Sequence, residues 1–253
     1  MKKNPYKYAV NNDHRYLIKL PPYKFFKTDA VYKGQWLNGK RQGRGLQFWV
    51  DGSIYQGEWE DDMANGNGRL IHCDGDFYQG QWLKDRAQGF GIFIHQDGQK
   101  YEGEWLEDKQ HGYGKEENYD FIYEGQFCYG KKHGKGKLIW KEDGSYYEGE
   151  FQDGVVQGEG VHFFKNGSKY EGQWVNYKMQ GFGKFQNTNG KIYTGNFKNG
   201  VKCGYGEMVY PDGKIYKGEW KDNKQNGQGL VILQDGRTGK GIWKDGKIIN
   251  EEF

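Results

Sequence analysis

Tyr101-Glu-Gly-Glu-Trp105-Leu-Glu-Asp-Lys-Gln-His-Gly112-Tyr-Gly114 decides the fold, because versions of it recur from near residue 32 to the end of the chain. Its first five residues alternate, so Tyr101, Gly103 and Trp105 fall on one face of a strand and Glu102 and Glu104 on the other. The polar run Leu106 to His111 reads as turn, and Gly112-x-Gly114 as the start of a return strand with almost no side chain on one face. The unit is strand, turn, strand.

Outward from this unit the period is strict. The strand-opening tyrosines are Tyr32, Tyr55, Tyr78, Tyr101, Tyr123, Tyr147, Tyr170, Tyr193 and Tyr216, with Gly239 in the tenth slot. They stand 23 residues apart, except for one step of 22 and one of 24. Four residues after each comes Trp or Phe, from Trp36 to Trp243, and a glycine lies between every time. Units are joined by pairs such as Asp51-Gly52, Asp74-Gly75 and Asn166-Gly167, residues that supply positive φ in tight hairpins. With a turn at each end of every strand, the simplest topology is a continuous antiparallel meander. The two length changes support it: Tyr119-Asp120-Phe121 is one residue short and Lys141-Glu142-Asp143-Gly144 one residue long. Both fall in turns, where a meander absorbs them without flipping later side chains to the wrong face.

Strands spaced about 4.8 Å apart advance each unit roughly 10 Å. The predicted fold is therefore all-β: an elongated, twisted single-layer antiparallel β-meander of about ten hairpin repeats, coiled so that one face becomes a groove. Rings of one unit lying over the glycines of the next would explain glycine where β-propensity disfavours it. The composition agrees, since 42 glycines and 17% aromatics at a mean hydropathy of −1.06 suit a thin structure held by rings rather than a thick aliphatic core. Disordered segments are poor in aromatics and lack a strict period.

The array spans residues 32–253, and residues 1–31 form a basic leader or cap. Seven basic residues (Lys2, Lys3, Lys7, Arg15, Lys19, Lys24 and Lys27) outnumber Asp13 and Asp29 there, leaving the rest of the chain at about −2 of the total +3. Pro21-Pro22 blocks a helix, and the flanking aromatics either cap the first hairpin or belong to an arm that docks on a partner. A near-neutral array does not suit nucleic-acid binding along its surface. Cys73, Cys128 and Cys203 form no CxxC pair, no run approaches 18 apolar residues, and the N-terminus lacks a signal-like segment; the expected location is cytoplasmic.

Tyr-x-Gly-x-Trp, a turn, Gly-x-Gly and Asp-Gly at this period resemble the MORN repeat (membrane occupation and recognition nexus) over about residues 32 to 250. The resemblance implies a grooved single-layer sheet used as an interaction scaffold, in some members through helices lying in the aromatic groove. MORN arrays occur in radial spoke heads of cilia and in cytoskeletal and membrane-associated assemblies. Some sit beside enzyme domains, and no such domain is expected before Phe253. The expected function is a non-enzymatic scaffold binding protein partners, as a helix or extended segment, in a ciliary, axonemal or other cytoskeletal assembly. The alternative is a peripheral adaptor that binds anionic phospholipid through the leader and rim lysines.

Tyr78, Trp82, Tyr101, Trp105, Tyr123 and Phe127 are the expected floor of that groove, against the plainer reading that they stack on each other. Lys131, Lys132, Lys135 and Lys137 form a rim turn that could meet an anionic surface, whereas eight acids after the strand tyrosines and glycines should repel lipid. No catalytic residue, cofactor or metal is expected. Histidines of matching phase, such as His72 and His95, sit about 10 Å apart, too far to share one zinc. Glu102 and Glu104 recur as a solvated polar face rather than as an acid and base pair. Gln88-Gly-Phe-Gly-Ile-Phe93 imitates an RNA-binding sheet motif but lacks its leading cation and helices.

Overall fold

The computed structural model describes residues 17–252, and every regular element among them is a β-strand. The chain divides into two compact units at the shortened turn: the first runs to Tyr119 and takes in Phe127–Lys131, the second comprises Asp120–Gln126 and the chain from Lys132. In the first unit, β1 (Ile18–Lys19) and β2 (Tyr23–Lys24) precede β3 (Val31–Leu37), β4 (Lys40–Phe48), β5 (Ile54–Glu60) and β6 (Met63–Ile71). There follow β7 (Phe77–Leu83), β8 (Arg86–Ile94), β9 (Lys100–Leu106) and β10 (Lys109–Glu117). From β3 onward each pairs antiparallel with the next. Beyond β11 (Phe121–Cys128), the second unit continues in the same order from β12 (Lys131–Trp140) to β22 (Lys247–Glu252). The meander of hairpin repeats is thus the architecture of each unit.

The two ends of every hairpin use different turns. Within a repeat the link is two residues, both at positive φ, as at Glu107 (48°) and Asp108 (66°), which is the type I′ geometry that matches strand twist. The return strand therefore starts at Lys109, not at Gly112, and Leu106 to His111 is mostly strand. Between repeats only the glycine has positive φ: Gly52 (96°) donates its N–H to the Trp49 carbonyl, while the Asp51 carboxylate accepts from Ser53 N–H at 2.9 Å. The aspartate of Asp-Gly supplies an acceptor rather than a left-handed residue. The extra residue of the fifth repeat lengthens this turn, with Gly144 N–H reaching back four residues to the Trp140 carbonyl.

The two glycines of Gly-x-Gly do separate jobs. Gly89 (φ 74°) sits in a β-bulge, where β8 carries more residues than β7 between the pairs Trp82↔Ala87 and Gly80↔Gly91. Gly91 instead lies beneath the Tyr78 ring, so a Cβ there would run into the ring carbons and hydroxyl. The Tyr78 hydroxyl donates to the Gln81 carbonyl at 3.0 Å, closing the ring over both glycines of its own hairpin. The expectation that rings cover the next repeat's glycines is corrected: the neighbour receives a ring edge. Tyr78 meets Trp82 at 5.1 Å and Trp105 of the following repeat at 5.1 Å, both edge to face. Trp105 Nε1–H donates to the Gly91 carbonyl behind it at 3.1 Å. Each such ring pair contributes about 0.5–1.5 kcal/mol beyond its buried area, and repetition replaces a conventional core.

The turns add a second latch. Asp85 N–H donates to the Ala64 carbonyl at 2.9 Å, and the Asp85 carboxylate accepts from Ala64 N–H at 2.6 Å. Residues 17–31 close the first edge, since β1 and β2 both pair with β3, and Tyr23 packs on Trp36 at 5.7 Å. Lys2, Lys3, Lys7 and Arg15 of the basic leader lie outside the described residues.

Two measurements check this core. Gly91→Ala should lower stability by about 3 kcal/mol by overpacking under Tyr78, while Gly98→Ala, with φ 91° and open space around it, should cost only about 1 kcal/mol of backbone strain; urea midpoints distinguish them. Burial pushes the ladder tyrosines up, Tyr32 and Tyr216 to about 12, from an ordinary value near 10. A raised folded value means that this stability is intact below about pH 10 and is lost as the pH climbs through the folded pKa. The melting midpoint should therefore hold from neutral pH to about 10 and then fall; a flat profile to pH 11 would count against ring burial.

Candidate functional site

Alternation along each strand separates a ring face from a polar face, and the structure places the expected groove residues on the first. Tyr78, Trp82, Tyr101, Tyr123 and Phe127 are buried and Trp105 is half-buried. In the first unit Tyr78, Trp82, Tyr101, Trp105 and Phe127 form one zigzag of edge-to-face contacts, Tyr101 meeting Trp105 at 5.2 Å and Phe127 at 5.0 Å. Tyr123 does the same in the second unit against Phe151 at 5.0 Å. These rings are the core, and they offer little surface to a partner.

Open space lies on the other face of the first unit, as a trough of about 1120 Å³. Its floor includes the main chain of Gly34, Gly57 and Gly80, whose Cβ-free side lies under the tyrosine rings of the other face. Lys19, Lys33, Arg44 and Arg69 line it against a single carboxylate, Glu58. Register explains the grouping, because Lys33 pairs with Leu46 across β3/β4, Arg44 with Glu58 across β4/β5, and Arg69 with Gln79 across β6/β7. Among the described residues Lys19, Lys33 and Arg44 make no ion pair, and Arg69 lies over the Phe77 ring at 4.7 Å. Leu46, Phe90 and Ile92 add apolar surface, Phe90 being 53% exposed. An acid count over the first strand of each hairpin misses this basic end, because Arg44 and Arg69 come from return strands. Continuing the alternation into those strands would have found them.

The acids of the polar face are not all free. Glu104 accepts from Tyr113 N–H at 3.0 Å and leans over Gly112 in the bulge; Glu58 does so with Asn67 N–H at 2.8 Å, and Gln81 with Phe90 N–H at 2.8 Å. Glu102 is paired with Lys100 at 2.7 Å. Glu104, at the position after the glycine, stays exposed, as on a solvated face, and its carboxylate in addition plugs the bulge. The signal was present, since the position holds Gln, Glu or Asn from Gln35 to Glu219 and becomes Ile242 only in the tenth hairpin.

The rim lysines of the second unit do not share one face. Lys131 belongs to the first unit and the others to the second, and all lie in β12 rather than in a turn. Lys132 points to the ring face, its Nζ over Phe121 at 4.3 Å and Tyr123 at 5.3 Å. Lys135 and Lys137 occupy the opposite face, where Lys137 lies over Tyr146 at 4.4 Å and 3.9 Å from Glu148. Among the described residues no three His, Cys, Asp or Glu side chains gather as a metal site, and all three cysteines are free thiols.

The MORN repeat profile matches nine successive segments, residues 32–54, 55–77, 78–100, 101–120, 123–145, 147–169, 170–192, 193–215 and 216–236. The chain belongs to the MORN repeat family. The tenth hairpin, β21 (Thr238–Lys244) with β22, lies beyond the matched MORN segments; it is also antiparallel but with a different register, Gly241 facing Glu251 where the other hairpins set glycine against glycine, and Trp243 meets Tyr216 at 5.0 Å. No curated protein matches the chain in sequence. Among solved structures, the TCP10 domain of Danio rerio CPAP in complex with a peptide of STIL is 13% identical, with a TM-score of 0.41, over 88% of this chain and 98% of that one. The SAS-4 TCP domain of Drosophila melanogaster with a proline-rich motif of Ana2 is 12% identical, with a TM-score of 0.38, over 79% and 90%. A streptogramin B lyase is 12% identical, with a TM-score of 0.16, over 90% and 87%. None of these likenesses bears on what the MORN array binds.

Because both Gln and Glu fill the plug in different repeats of this chain, Glu104→Gln should leave stability within about 0.5 kcal/mol of the wild type, whereas Glu104→Ala should lower it by about 1 kcal/mol. Equal urea midpoints for the two variants would show that the plug is dispensable.

Proposed function

We propose that this MORN protein is a non-enzymatic scaffold that holds protein partners on the polar face of its first unit, as a cytoplasmic component of a ciliary or other cytoskeletal assembly. One observation carries the reading: the ring face is consumed as core, while the trough of about 1120 Å³ presents main chain, amides and, among the described residues, cations without an ion pair. Binding surfaces combine recessed apolar groups with polar ones that fix register, and Phe90 and Ile92 beside Gln79 and Gln81 provide that combination. Repeat arrays use such continuous faces because each repeat contacts only its neighbours and the surface extends with repeat number. The assembly and its location are supported by the use of other MORN arrays in such structures.

A photo-crosslinking amino acid settles the face. Placed at Gln79, in the trough, it should capture discrete protein partners in cells; placed at Lys84, in the hairpin turn, it should not. Equal capture at both positions, or none at Gln79, would remove the trough as the docking face. Imaging of the tagged chain tests the location, and exclusion from every cytoskeletal structure would refute that part.

A further inference from the structure

The trough has a charge gradient, and the gradient says what fits it. Four cations, Lys19, Lys33, Arg44 and Arg69, face one carboxylate across β1 to β6. That carboxylate, Glu58, is already engaged with Asn67 N–H at 2.8 Å. Moving toward β9 the lining becomes apolar at Phe90 and Ile92, and the cross-strand partners of those two residues are Glu104 and Glu102. A basic zone thus gives way to an apolar one across the strands within the first unit, bordered by Glu104, which like Glu58 accepts from a main-chain N–H while keeping its charge, and by Glu102, which is paired with Lys100.

Resting on the trough as the docking face, we propose that its occupant is an acidic segment of a protein partner, its carboxylates over Lys19, Lys33, Arg44 and Arg69 and an apolar side chain against Phe90 and Ile92. From β3 to β8 is five strand steps, about 24 Å, which about seven extended residues span. Charge complementarity selects the sign. Lys33 and Arg44 are exposed and without an ion pair among the described residues, so an arriving carboxylate displaces no internal partner. The neutral lining selects a polypeptide over other polyanions: Gln56, Gln79 and Gln81 offer amides that match main-chain N–H and C=O groups. A membrane surface would have to approach Glu102 and Glu104 on the neighbouring strand, and a nucleic acid would need phosphate contacts well beyond four cations. The acids bordering the apolar zone also orient the segment, with its charged part kept to the β1 to β6 end.

Anisotropy on the full chain tests this with a labelled peptide of about twelve alternating Glu and Leu residues, a Lys and Leu counterpart, phosphatidylserine vesicles and a single-stranded oligonucleotide. The acidic peptide should bind, weaken with added salt, and outcompete the other three. Lys33→Glu with Arg44→Glu should weaken it about tenfold. Because Arg44→Glu faces Glu58, the milder K33Q/R44Q/R69Q variant provides a second reading and should lose several-fold at an unchanged melting midpoint. Equal binding of the acidic and basic peptides, no effect of either variant, or binding confined to vesicles or oligonucleotide would overturn the inference. The two readings separate cleanly. If Gln79 still crosslinks proteins while K33Q/R44Q/R69Q captures them as well as wild type, the trough stands and the acidic occupant falls.

Discussion

A tyrosine ring laid flat on two facing glycines is the contact on which the rest of each repeat depends. The Tyr78 hydroxyl is held by the Gln81 carbonyl, its ring covers Gly80 and Gly91, and its edges receive Trp82 and Trp105. The ring can approach the backbone this closely only where both partners lack a Cβ. Glycine, a weak strand former elsewhere, is therefore required at the centre of each of the nine hairpins that carry the tyrosine. Tryptophan then does two things at once: it fills the space between successive tyrosines and ties its indole N–H to the glycine carbonyl of the repeat before, as Trp82 does to Gly68 at 3.1 Å. Stability passes from repeat to repeat through rings and backbone, with few aliphatic side chains involved.

The same contact sets the chemistry of the opposite face. A bulge is needed to bring the return strand past the ring, and the bulge takes a positive-φ glycine such as Gly89 or Gly112. Its exposed N–H neighbours need an acceptor, which the Gln or Glu after the strand glycine supplies. Many of the polar side chains on that face are thereby committed to the fold. What remains free is narrower than the sequence suggests, and in the first unit it is mainly cationic and apolar.

Recognition and architecture are thus divided between the two faces. The aromatic residues that dominate the composition build the ladder, while exposed residues of the return strands, Arg44, Arg69 and Phe90, define the open surface. The basic leader contributes to the trough through Lys19, held in place by β1 pairing to β3. An interaction array of this kind can diversify its binding face with little effect on its core, because the side chains of residues between the two glycines, such as Arg44 and Phe90, lie on the face away from the ladder.

The sequence by itself determined the period, the antiparallel meander and the location of both length changes in turns. Each of these follows from local chemistry: alternation over five residues, turn pairs with defined dihedral preferences, and the intolerance of a strand to a one-residue slip. Tertiary structure alone decided which face is open. Ring burial depends on how successive repeats stack, and nothing within one 23-residue unit shows that Tyr101 will be sealed by Phe127. The roles of the two glycines were hidden for the same reason. Gly112 and Gly114 look alike in sequence, but one answers a backbone dihedral at a bulge and the other a ring two strand positions away. Placing the turn at Glu107-Asp108 rather than across Leu106 to His111 also moved Lys131 and Lys132 into a strand. Alternation then sent Lys132 to the rings and Lys135 to the polar face, so a run of lysines continuous in sequence was divided by the pleat.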